Sequence, residues 1–84
     1  MKKLINNYKA SLAKVNEIET AYENNPEDAN LENAYDKAYN DNFSDYIALA
    51  QALVEITKGQ ISFNVAKTII ITKLDKLETI IELA

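Results

Sequence analysis

The side chains able to do chemistry in this 84-residue chain are thirteen carboxylates, nine lysines and five tyrosines. Histidine and cysteine are absent, so the commonest general base and the strongest side-chain nucleophile are both missing. Disulfides and thiolate metal sites go with them. Gly59 is the single glycine, and no glycine-rich loop exists to cradle a phosphate. Carboxylates one helical turn apart, such as Glu78 and Glu82, suit weak binding of a hard cation. Neither an EF-hand loop nor the Glu-x-x-His of di-iron bundles accompanies them. The expectation is therefore a protein with no catalysis, no cofactor and no metal, whose charged groups serve recognition.

The charges are unevenly placed. Residues 1–16 hold four lysines and no acid, a net +4. Residues 17–45 hold nine acids against Lys37 alone, a net −8, and residues 46–84 balance. Asp28, Glu32 and Asp36 follow one another at helical spacing, as do Glu19 and Glu23. Like charges so spaced destabilise an isolated helix by a few tenths of a kcal/mol per pair. Such an arrangement fits a surface for a basic partner, with Asp28, Glu32 and Asp36 as its candidate residues. The bland alternative is a solvated face that keeps a small protein soluble. Direct nucleic-acid binding is not expected. The net charge is −4, arginine is absent, and Lys67, Lys73 and Lys76 point in different directions on their helix.

Three elements must position these groups. Leu4, Tyr8, Val15, Ile18 and Tyr22 recur at helical spacing and predict a first helix over residues 2–24, with Ser11 and Glu19 interrupting its apolar face. In Asn24-Asn25-Pro26-Glu27-Asp28, Asn25 suits an N-cap and Pro26 the first helical position. A second helix is predicted over 26–58, since Leu31, Ala34, Tyr35, Ala38, Tyr46, Leu49, Leu53 and Ile56 keep one phase. The cluster Asn40-Asp41-Asn42-Phe43-Ser44 resists helix formation, and a break there would make four helices. Lys58 then suits a last turn and Gly59 the left-handed position beyond it. Ser62 suits an N-cap, with Ile61 placed to staple onto Ala66. A third helix is predicted over 63–83, despite the β-branched run Thr68–Thr72.

The expected fold is all-α, a single domain over 1–84 built as a three-helix antiparallel bundle with a long central helix. Helix 1 would cover the first part of helix 2. Helix 3 would cover Phe43, Ile47, Ala50 and Val54. Leu53 and Ile56 would then overhang, and Ile71 would project into a polar face. Surplus apolar surface of this kind points to self-association, with Leu53, Ile56 and Ile71 as the candidate interface. Asn42 falls at the centre of the helix 2 stripe, where a polar residue either fixes register or bonds locally at a bend. Lys73 falls within the apolar arc of helix 3, from which its ammonium would snorkel to water. The five tyrosines lie on or beside the stripes and are expected to line the contact between helices 1 and 2.

No apolar run approaches the ~18 residues of a membrane span. Asn6, Asn7 and Lys9 interrupt any signal-peptide core, so a cytoplasmic protein is expected. Asn, Ile, Lys and Tyr fill 34 of 84 positions, the bias of an AT-rich genome, as in many small bacterial, phage or mobile-element proteins. The functional expectation is a small non-catalytic protein–protein interaction module, self-associating as a homodimer or bound to a host protein. The alternative is an acidic inhibitor or regulator that occupies a basic groove of a nucleic-acid-binding protein.

Overall fold

The computed structural model describes residues 2–77. Its main helices are α1 (Lys2–Asn24), α2 (Ala29–Ile56) and α3 (Phe63–Thr72), followed by a short helical turn, α4, at 74–77. No strand occurs among the described residues.

Local chemistry sets the helix ends, and α2 begins later than the proline suggests. Pro26 and Glu27 form a turn, and Asp28 is the N-cap. Its carboxylate accepts the N–H groups of Asn30 at 2.9 Å and Leu31 at 3.4 Å. The expected start, Asn25 as cap and Pro26 as first helical residue, is therefore incorrect. The Asn25 N–H instead donates to the carbonyls of Ala21 and Tyr22, closing α1. A carboxylate facing the positive end of the helix satisfies two orphan donors at once and is favoured by the dipole.

No break interrupts α2 at residues 40–44. Asn42 spends its amide on a neighbouring helix rather than on its own backbone, and lateral packing outweighs poor propensity. The helix is about 42 Å long. It ends at Ile56, two residues before the expected Lys58, in a Schellman arrangement: Lys58 N–H donates to Glu55 O, and Gly59 N–H to Val54 O. Thr57 is the C-cap, so Lys58, not Gly59, takes the C′ position, at φ 55°, with Gly59 following at φ 80°.

Ser62 caps α3, its hydroxyl accepting the Val65 N–H at 3.2 Å. Ile61 and Ala66 both join the core beneath this start. The helix does not run on as expected. It stops at Thr72, and Lys73, at φ −136° and ψ 38°, is its C-cap and exposed rather than snorkelling from an apolar arc. The β-branched run just before this end is a poor helix former. Thr68 and Thr72 donate back to the carbonyls of Asn64 and Thr68, at 3.0 and 2.7 Å, a bonding that bends and weakens helices. The remainder of the expected third helix, 78–83, lies outside the described residues.

The core sits at one end of the molecule. Ile5 and Tyr8 of α1, Leu49, Ala50 and Leu53 of α2, Ala66 and Ile70 of α3 and Leu77 of α4 form one buried cluster. The break at Lys73 brings Leu74 and Leu77 onto it. No residue between Ala13 and Asp45 belongs to this cluster, so that stretch forms an arm of two helices beyond the head. Val15 and Ala38 are buried along the arm. The molecule measures 46 × 19 × 18 Å.

Candidate functional site

Two polar residues that looked misplaced in apolar stripes answer one another. Asn42 of α2 donates its amide N–H to Ser11 Oγ of α1 at 3.0 Å, and Ser11 donates to Tyr8 O at 3.1 Å. This bond crosses the seam where head meets arm. It fixes the register of α1 on α2, because sliding either helix by one residue leaves the Asn42 amide without its Ser11 acceptor. Above and below it the rings follow one another: Tyr8 with Tyr46 at 6.1 Å, and Tyr22 with Tyr35 at 6.3 Å. Tyr8, Tyr22, Tyr35 and Tyr46 thus line the α1–α2 contact, as expected, whereas Tyr39 stacks on Tyr35 of its own helix and stays half exposed.

The acids gather at the arm. Glu19, Tyr22 and Glu23 of α1 and Glu32, Tyr35 and Asp36 of α2 border an open cleft of about 380 Å³. Of the three acids singled out from the sequence, Glu32 and Asp36 face this cleft. Asp28 does not line it and is engaged as the α2 cap. Glu19 and Glu23 join from the other helix, a convergence legible only once the two helices are known to be antiparallel. Lys37, the one base of residues 17–45, pairs with Asp41 at 3.9 Å and lines no part of the cleft. Among the described residues no group of three or more ligand-type side chains is placed to hold a metal.

The apolar candidates separate. Leu53 is fully buried in the core and is not a surface residue. The reason is the placement of α3, which returns from Gly59 over the end of α2 where an overhang was expected. Ile56 is 39% exposed at the end of α2, and Ile71 is 68% exposed. Ile71 lies at a groove of about 230 Å³ with Tyr8, Tyr39, Asn42, Phe43 and Tyr46. Tyr39 and Phe43 are each 52% exposed there. Phe43 was expected beneath helix 3, but α3 ends level with it and leaves it open. In the sequence Tyr39 stands out only as part of the tyrosine stripe. Its signal is its spacing from Phe43 on the face that α3 covers further along.

Burial raises the pKa of the Tyr8 phenol above its ordinary 10.0, and nearby Tyr46 adds to this. Burial alone raises that of Tyr46. No helix among the described residues is long and apolar enough to cross a membrane. No family model, curated protein or solved structure matches this chain.

Proposed function

We propose that this chain is a non-catalytic protein–protein interaction module that binds through a helix-face patch. The observation carrying this is the cluster of Tyr39, Phe43 and Ile71, three large apolar side chains at least half exposed around one groove. Small proteins rarely leave neighbouring aromatic and aliphatic groups open without use, and Tyr and Phe are enriched where proteins meet. The patch sits on helices held rigid by the Ser11–Asn42 bond and the core, so little order must be gained on binding.

A second mode is favoured by the arm cleft, where Glu19, Glu23, Glu32 and Asp36 converge with no lysine among the lining residues. Such a cleft suits a basic segment, including one from the groove of a nucleic-acid-binding protein.

Salt separates the two. Tagged protein is passed through lysate and washed at low and then high salt, beside Phe43→Ser and a Glu32→Gln/Asp36→Asn double variant. A partner retained at high salt and lost with Phe43→Ser supports the apolar mode. A partner released by salt and lost with the double variant supports the acidic mode. Absence of any partner, including further copies of the chain, would sink the proposal.

A further inference from the structure

Resting on the interaction role proposed above, we infer that the occupant of the Tyr39–Phe43–Ile71 patch is a second copy of this chain, laid alongside in antiparallel two-fold symmetry. Three observations carry the inference: the position of the patch, the charges on either side of it, and the area available.

The patch lies at mid-length. Tyr39 and Phe43 flank the middle of α2 (Ala29–Ile56), which runs along the 46 Å axis. A two-fold axis perpendicular to the long axis and passing through the patch brings the same side chains of both copies together. A closed dimer needs a self-complementary surface of this kind.

The charges flank the patch in opposite senses. Glu32, Asp36, Tyr39 and Phe43 are spaced by four, three and four residues, so they share one face of α2. Asp36 and Glu32 stand about 10 and 16 Å from Phe43 toward the arm tip. α3 runs antiparallel to α2, so its residues before Ile71 lie on the other side of the patch, toward the head. Lys67 is one turn back from Ile71, about 6 Å away, and its ammonium is held 5.1 Å from the centre of the Phe63 ring. α3 itself, Phe63–Thr72, contains no acid. Rotation about the axis carries the acidic half of one copy over the α3 lysine of the other, twice. A parallel pairing would instead set Glu32 and Asp36 of both copies face to face. Like charges opposed in this way discriminate against that register. Asp41 and Asp45 do not disturb the match, since they border a different groove with Lys14 and Ser11.

Area favours the long face. A side of 46 by 19 Å offers roughly 800 Å², about what each partner contributes to a stable complex. An end of 19 by 18 Å offers well under half of that.

The test uses the whole chain, which has no natural cysteine. Sedimentation across a wide concentration range is expected to show a monomer–dimer equilibrium. Phe43→Ser, at a position already half exposed, is expected to abolish the dimer while keeping the helical circular dichroism and a cooperative melt. Ile71→Ser serves as an independent second variant. Asp36→Lys and Lys67→Glu are each expected to weaken the dimer about tenfold, and the two together to restore it. A spin label on Glu27→Cys, in the turn at the arm tip, is expected to give a label-to-label distance of about 45 Å, close to the length of the molecule. A distance below about 20 Å would mean a parallel pair and would overturn the inference. So would failure of the double charge exchange to restore the dimer, or a monomer at every concentration. A monomer that still loses a salt-resistant partner with Phe43→Ser would leave the interaction role standing without the second copy. A monomer with no partner at all would remove both.

Discussion

The seam between α1 and α2 can be tested at one hydrogen bond. Asn42 Nδ2 donates to Ser11 Oγ at 3.0 Å, and the serine hydroxyl donates onward to Tyr8 O. Both side chains are half-buried, so an orphaned amide still finds some water, and the cost of losing the bond stays near the ordinary net value. Ser11→Ala is expected to destabilise the fold by about 1 kcal/mol. Asn42→Ala is expected to cost a similar amount, since it removes the amide and leaves a small gap. Because each deletion removes the same bond, the double variant should lose less than the sum, with a coupling of about 0.5–1 kcal/mol. Urea unfolding followed at the helical circular dichroism band measures this. A chain of this size has a slope near 1 kcal/mol per molar urea, so each single variant should move the midpoint down by about 1 M. Replacing both partners by apolar groups, as in Ser11→Ala/Asn42→Leu, is expected to restore most of the stability. Strict additivity of the two alanine substitutions would refute the direct bond. So would a double apolar variant less stable than either single one.

Four further outcomes follow from the caps and the tyrosines. Lys58→Gly is expected to raise stability by up to about 1 kcal/mol, or some 4–8 °C in melting temperature, because Lys58 holds a left-handed backbone at φ 55°. Gly59→Ala should lower stability by about 1 kcal/mol from backbone strain alone, because an added Cβ would meet nothing within 4 Å. Asp28→Ala should cost about 1 kcal/mol in urea unfolding and shorten α2 at its start, read as lost amide protection at Asn30 and Leu31. The phenols of Tyr8 and Tyr46 titrate higher folded than unfolded, so the native state binds their protons more tightly. Their contribution is fully present below pH 10 and falls as pH rises past it, through the folded pKa values. Stability measured between pH 9 and 11 should therefore decline, and Tyr8→Phe should flatten part of that decline.

Periodicity carried most of the fold because its signal is global. The shared phase from Leu31 to Ile56 was enough to keep α2 continuous through Asn40–Ser44, against five residues of poor local propensity. What periodicity could not weigh was competition between neighbouring caps. Asn25-Pro26 and Asp28 are both good starts, and the charged acceptor with two N–H groups in reach prevailed. The same limit applies at Lys58-Gly59, where the choice of left-handed residue depends on which carbonyls the following N–H groups reach. Of the site, the acids were legible as spacing on one helix. Their meeting across two helices, and the exclusion of Asp28 from it, required the turn geometry.

The early end of α3 links these features to function. A third helix continuing past Thr72 would run on beside the groove where Ile71 meets Tyr39 and Phe43. The run Thr68-Ile69-Ile70-Ile71-Thr72 ends α3 on poor helix formers, and its threonines bond back to the carbonyls of Asn64 and Thr68. Once the chain breaks at Lys73, Leu74 and Leu77 swing onto the head and complete a core that a straight helix would have passed by. Stability is thus concentrated at one end, where eight buried residues from four elements meet. Among the described residues the arm is held by a tyrosine seam, the buried Val15 and Ala38 and the Ser11–Asn42 hydrogen bond. The face that α3 covers over the head continues uncovered along the arm, first apolar at Phe43 and Tyr39, then acidic at Asp36 and Glu32. The end of α3 thus marks the boundary between the buried core and the exposed patch. Moving that boundary tests the connection: Thr68→Ala/Thr72→Ala is expected to lengthen α3, read as new amide protection beyond Lys73, whose own N–H already donates to Ile69 O, and to weaken binding at the patch. A longer α3 with unchanged binding would show that the patch does not depend on where α3 stops.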